Sequence, residues 1–170
     1  MHSRIMRLLA MNRGTRYSYW ALLAALSLAL LPAAWAKKDA YKFRFGLMTM
    51  NGQGQTSVYL ETTEIEKHAD PSYSHGFEIT RKNESQFFYY FRIRFPEPLK
   101  NISPAVYDHY KVLENGQVFE SQEKFVWRAQ ESFVFDKSDP VGRYQLEVYI
   151  DGELYRKVDY NVVPVPEFDF

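Results

Sequence analysis

Residues 86–95, QFFYYFRIRF, decide the fold. Phe87, Tyr89, Phe91, Ile93 and Phe95 fall on one side of a two-residue repeat, and Phe88, Tyr90, Arg92 and Arg94 on the other. Successive side chains of an extended chain point to opposite faces. The run therefore predicts a half-buried strand, with an apolar face for a core and a mixed aromatic and cationic face turned away from it. Pro96 and Pro98 end the strand, because proline has no N–H to give to a ladder.

The same period recurs on both sides. Upstream, Tyr41, Phe43, Phe45 and Leu47 alternate with Lys42 and Arg44, and Asn51-Gly52-Gln53-Gly54 supplies turn chemistry. Thr56 to Ile65 reads as the return strand, Glu66 to His75 as a loop, and Gly76 to Arg81 as another strand. Downstream, Val106 to Leu113 and Gln117 to Glu120 read as a hairpin around Glu114-Asn115-Gly116. Phe125-Val126-Trp127 and Phe133-Val134-Phe135 read as short apolar strands, and Asp136 to Gly142 as a loop. Tyr144, Leu146, Val148 and Ile150 alternate with Gln145, Glu147 and Tyr149. Asp151-Gly152 turns the chain, and Leu154, Val158, Tyr160 and Val162 carry the pattern back until Pro164 and Pro166. About eight short strands at regular spacing, with no convincing helical period, predict an all-β antiparallel sandwich or small barrel.

The first 36 residues read as a signal peptide. Arg4, Arg7, Arg13 and Arg16 form a basic start without acids, Ala21 to Leu31 is an uncharged apolar run, and Pro32 breaks it before Ala34-Trp35-Ala36. Cleavage is expected after Ala36. A retained anchor over Tyr19 to Ala36 is the competing reading, at the short limit for a membrane span. Met1, Met6 and Met11 are the candidate starts, and translation from Met11 gives the more ordinary signal peptide, MNRGTRYSYW followed by the apolar run. The expected organisation is a leader over 1–36, a sandwich over 37–163 and a tail over 164–170, in a periplasmic or secreted protein without stable membrane insertion once the leader is removed.

Past the leader, 17 basic residues face 21 acidic ones. A net charge near −4 lacks the basic footprint of nucleic-acid binding and opposes docking on anionic membranes. The absence of cysteine excludes disulfide scaffolds, thiolate-ligated zinc and thiol catalysis. The mature part keeps 25 of the 29 aromatic residues, a bias toward pleated, half-buried surfaces.

The closing run Gly142-Arg143-Tyr144-Gln145-Leu146-Glu147-Val148-Tyr149-Ile150-Asp151-Gly152-Glu153-Leu154, continuing to Tyr160-Asn161-Val162, resembles the last two strands of exported bacterial immunoglobulin-like domains of unknown function. Upstream, Thr62-Thr63-Glu64-Ile65 and His75-Gly76-Phe77-Glu78-Ile79 are similar to the same kind of domain. The resemblance implies an immunoglobulin-like sandwich and no particular activity. The chain departs from antibody domains in lacking the inter-sheet cysteine pair, so Trp127 has no disulfide to pack on.

Phe88, Tyr90, Arg92 and Arg94 are the candidate binding residues. Rings beside guanidinium groups can stack a sugar or grip an anion; the ordinary alternative is cross-strand packing with arginine stems laid over rings. Glu66-Lys67-His68-Ala69-Asp70 with His75 offers metal-ligand chemistry but no ligand spacing, so no metal or other cofactor is expected. Asp108-His109-Tyr110 offers an acid beside a histidine, but neighbours on a strand face opposite ways. Glu120, Glu123 and Glu131 are scattered acids with no two singled out as a glycosidase pair. Phe168-Asp169-Phe170 is an aromatic end of the kind outer-membrane barrels carry, although Pro164 and Pro166 interrupt the last strand. The leading expectation is a non-enzymatic binding or accessory module of the cell envelope with a protein or envelope-component partner. An envelope-polymer hydrolase and a small outer-membrane barrel are the alternatives.

Overall fold

The computed structural model describes residues 40–166 apart from Asn51, Gln53, Pro71 and Asn101. The expected leader, much of the Asn51–Gly54 turn and the Phe168-Asp169-Phe170 end lie outside the described residues.

Eleven strands alternate with turns: β1 (Tyr41–Met50), β2 (Thr56–Glu61), β3 (Glu64–Glu66), β4 (Ser74–Arg81), β5 (Phe87–Arg94), β6 (Tyr110–Leu113), β7 (Val118–Ser121), β8 (Lys124–Val126), β9 (Arg128–Phe133), β10 (Gly142–Ile150) and β11 (Glu153–Val163). The smaller sheet has the order β2-β1-β4-β9. The larger runs β3-β11-β10-β5-β7-β6, with β8 also on β5. Inward residues of the two sheets meet in one core, where Phe77, Ile79, Leu146, Val148 and Ile150 are wholly buried and Phe87 and Phe91 are 1% exposed. Burying each such side chain contributes about 1.5–3 kcal/mol. Phe77 and Phe91 meet edge-to-face across the core at 5.5 Å, the arrangement that ring quadrupoles favour.

The immunoglobulin-like sandwich expected from the sequence is the fold observed. Its hallmark is Tyr144, at the start of β10, whose hydroxyl donates to the Pro140 carbonyl at 2.7 Å, the backward bond of a tyrosine corner. Two open sheets, in place of one closed cylinder, remove the small outer-membrane barrel from consideration.

Other details differ from expectation. Among the described residues the strands number eleven rather than about eight, and one ladder is parallel: β3 along β11. The single strand expected over Thr56 to Ile65 breaks at Thr62, whose Oγ1 accepts the Glu64 N–H at 3.1 Å as the chain changes sheets. Val106 to Leu113 is not one strand. Pro104–Asp108 forms a 3₁₀ turn, with Pro104 in the first turn, where its missing N–H costs nothing, and β6 follows. The strand expected at Phe133-Val134-Phe135 lies earlier, as β9, because Ala129 is buried opposite Ile79 while polar neighbours face out. Between the pairs Arg92–Glu120 and Tyr89–Lys124, two residues of β5 oppose three of the partner chain. This bulge separates β7 from β8, and Ser121 Oγ accepts the Phe91 N–H there at 3.0 Å. Trp127, where the chain passes from β8 of the larger sheet to β9 of the smaller, is 62% exposed.

Candidate functional site

The alternation in β5 places its even-numbered residues on the outer face of the larger sheet. Phe88, Tyr90, Arg92 and Arg94 lie there in one line, while Phe87, Tyr89, Phe91 and Ile93 are buried beneath. Neighbouring strands extend the line sideways. Phe88 pairs with Phe125 of β8, and their rings stack 4.4 Å apart. Tyr90 pairs with Tyr149 of β10, with rings 4.5 Å apart and within 3° of parallel. Leu154 of β11 stands opposite Tyr149. Residues directly opposite on one face touch, so five apolar side chains from four strands form a strip. Phe88, Phe125 and Leu154 are 46%, 53% and 51% exposed.

The arginines continue the line but are not free. Arg92 Nε binds Glu120 Oε2 at 2.6 Å, its Nη1 donates to the Tyr149 hydroxyl at 3.2 Å, and its guanidinium lies 5.0 Å from the Tyr149 ring centre. Tyr149 in turn donates to Glu147 at 2.8 Å. Arg94 grips Glu114 with both terminal nitrogens at 2.5 and 2.6 Å. That grip holds the Glu114 carboxyl below its ordinary range, and hydrogen bonds to Glu120 and Glu114 raise the two guanidiniums. With their forks engaged by carboxylates, the arginines are positioned as walls of the strip, not as an open anion clamp.

The outer face of the smaller sheet is different. Glu78, 6% exposed, bridges Arg44 at 2.9 Å and Arg128 at 2.6 Å, and Arg44 also reaches Glu61 at 2.9 Å. That face is a charge ladder without an exposed ring cluster.

The sequence signals the four residues of β5 but misses Phe125, Tyr149 and Leu154. Tyr149 was on the outward set of its own strand; only the register between strands puts it beside Tyr90.

The remaining candidates are dispersed. His68 binds Glu66 at 3.1 Å and stacks on Tyr73. The Asp70 carboxylate accepts both the N–H and the hydroxyl of Ser72, whose backbone bond foremost keeps it below the usual range. His75 is buried at 3% exposure, apart from the exposed Asp70. Among the described residues no three His, Cys, Asp or Glu side chains group to hold a metal. Asp108 closes the 3₁₀ turn and His109 follows it, both exposed. Glu120 lies on the outer face with Arg92, whereas Glu131 accepts the Tyr89 hydroxyl in the interior, so the sheet separates them. Among the described residues no helix is long and apolar enough to cross a membrane.

In comparisons with known proteins, no curated protein matches the chain. Among solved structures it is similar to an immunoglobulin-like protein from Pseudomonas aeruginosa, at 14% identity and a TM-score of 0.44, over 72% of this chain and 92% of that one. It is also similar to the DNA-bound alkylpurine DNA glycosylase AlkC of Pseudomonas fluorescens, at 8% identity and a TM-score of 0.31, over 71% of this chain and 30% of that one. A family model, the PM0630 beta sandwich domain, matches residues 43–163, from β1 to the end of β11. With every described strand inside or overlapping that match, the chain belongs to the PM0630 beta sandwich domain family.

Proposed function

We propose that this protein is an exported, non-enzymatic binding module of the cell envelope, periplasmic or secreted, that seats a protein partner on the outer face of its larger sheet at Phe88, Tyr90, Arg92 and Arg94. The observation that carries the reading is the outer-face strip of Phe125, Phe88, Tyr90, Tyr149 and Leu154, with Phe125, Phe88 and Leu154 exposed and the two tyrosines half-buried. Contiguous apolar surface rimmed by polar groups marks interaction sites, and tyrosine, phenylalanine and arginine are enriched in interface cores. Carboxylate partners keep the arginines electrically balanced, which favours a partner offering apolar side chains over one offering an anion.

On the larger sheet, the edges support a face over strand addition as the mode of contact. The outermost strands of the larger sheet, β3 and β6, have three and four residues, too short to template a long foreign strand. Export rests on the leader read in residues 1–36.

The test is affinity capture by the tagged full chain from its own cell envelope. Wild type is expected to retain a protein partner that Phe88→Ala combined with Tyr90→Ala loses, while Glu61→Ala on the opposite sheet retains it. Equal capture by all three overturns the site. An N-terminus at Lys37 in the recovered protein supports export; an intact Met1, Met6 or Met11 in the cytosol overturns it.

A further inference from the structure

One flank of the sandwich is closed over part of its length only. On that side β2 pairs with β1 from Gly46 to Met50, and β3 pairs with β11 from Asn161 to Val163. Beyond those points Tyr41 to Phe45 of β1 and Glu153 to Tyr160 of β11 have no described strand beside them on that flank. The Ala40 carbonyl accepts the Lys82 N–H at 2.9 Å, which fixes the phase of the β1–β4 ladder. Lys42 and Arg44 therefore bond to β4, and Tyr41 and Phe43 turn their N–H and C=O groups the other way, toward the open flank. Such a row is a template for a further strand. β1 holds its register with β4 from Tyr41 to Met48 without a break. β11 is interrupted at Tyr155, an extra residue between the pairs made by Leu154 and Arg156, and a bulge spoils an edge as a template. The usable edge is β1, on the smaller sheet.

A groove of about 600 Å³ lies between the two edges, lined among others by Phe43, Phe45, Thr62, Arg156, Val158 and Asp159. Its floor is apolar: Phe45 is buried, and its ring meets that of Tyr160 at 5.0 Å. Arg156 is the group out of place. It shares the inward phase of Val158, Tyr160 and Val162, yet it is exposed, with its guanidinium 5.5 Å from the centre of the Phe43 ring. Among the described residues it has no carboxylate within ion-pair distance, because the acids of the groove are engaged elsewhere: Glu61 by Arg44 at 2.9 Å and Asp159 by Gln145 at 2.9 Å. An inward charge at an edge repels a strand that brings an apolar side chain to it. It admits a strand that brings a carboxylate, since charge-assisted bonds to guanidinium are the strong kind.

We infer that an extended segment of another protein, with a carboxylate between two apolar side chains on its inward side, adds as a strand beside Tyr41 and Phe43 of β1 and places its acid on Arg156. The site is independent of the outer-face strip.

The test titrates the ¹⁵N-labelled full chain with the acetylated, amidated pentapeptide Val-Thr-Glu-Thr-Val and with its Gln and Lys counterparts at the central position. The Glu peptide is expected to bind about tenfold more tightly than the Gln peptide, with the Lys peptide weakest, and to slow hydrogen exchange at the amides of Tyr41 and Phe43. Arg156→Glu should invert the order in favour of the Lys peptide. Lys157→Gln, on the opposite face of β11, should leave the order unchanged. Should Arg156→Glu fail to fold, the wild-type order of affinities, together with protection at Tyr41 and Phe43, decides the matter. No saturable binding, equal affinities for the three peptides, an order that survives Arg156→Glu or is lost in Lys157→Gln, or protection at Ser57 and Tyr59 of β2 in place of Tyr41 and Phe43 would each overturn the inference.

Discussion

The hydroxyl of Tyr89, on the larger sheet, donates to the carboxylate of Glu131, on the smaller one, so a polar bond links the two layers of the sandwich. Lys124 Nζ meets the same carboxylate at 2.6 Å from the rim. Glu131 belongs to β9, an edge strand, and an inward charge there discourages pairing with a foreign strand. Tyr89→Phe removes the donor and leaves a half-buried carboxylate with Lys124 alone. We expect a loss of about 1–3 kcal/mol, read as a lower urea midpoint at unchanged slope.

Gly76 has no room for a side chain. A Cβ there would lie 1.9 Å from the Glu131 carbonyl oxygen and 2.7 Å from Met48 Sδ. Gly76→Ala must therefore push β9 away from β4, at or beyond the roughly 3 kcal/mol upper end of ordinary overpacking. Gly152, at φ +79° with open space around it, tests conformation alone. Gly152→Ala is expected to cost about 1–2 kcal/mol. Thermal melts of the two variants should rank them in that order.

His75 gives stability a pH dependence of defined sign. Its pKa falls from an ordinary 6.5 to about 4 on burial, so the unfolded chain takes up the proton first. Its contribution is intact above pH 6.5 and falls as pH drops toward 4, by about 3 kcal/mol in all. Below that, both states are protonated and the loss stops growing. Asp139, whose carboxyl is raised by burial, opposes this trend. Urea titrations across the window should show a steep acid loss in wild type and a flatter curve in His75→Phe.

The outer face should matter little to folding. Tyr149→Ala deletes the stack on Tyr90 and the support of Arg92, an expected cost of about 0.5–1.5 kcal/mol. Arg94→Ala breaks only a solvent-exposed ion pair with Glu114, which water and salt screen, so the melt should stay where it is. Partner capture is expected to be lost with Tyr149→Ala although the melt falls by only a few degrees; a variant that loses stability and capture in proportion would mark the strip as structural.

What was readable in the chain was what one strand can encode alone. Phe87 to Arg94 announced both its faces, since alternation is a local property. Arg128 to Phe133 did not, because a single buried alanine among Arg, Gln, Glu and Ser leaves no apolar period. Glu64-Ile65-Glu66 was hidden for the same reason, with three residues too few to show a repeat. His75 read as the end of a loop, and only the folded neighbours Phe133, Phe135 and Tyr160 reveal it as core. The strip on the outer face needed the register of four strands, which depends on turns and bulges far from Phe88.

The placement of β10 and β11 has a consequence for how the chain is made. These last two strands lie between β3 and β5, joining the rest of the larger sheet. A nascent chain lacking them has no continuous sheet on which to close its interior, so folding waits for the final residues to emerge. Truncation at Val141 should yield an unfolded, protease-sensitive polypeptide.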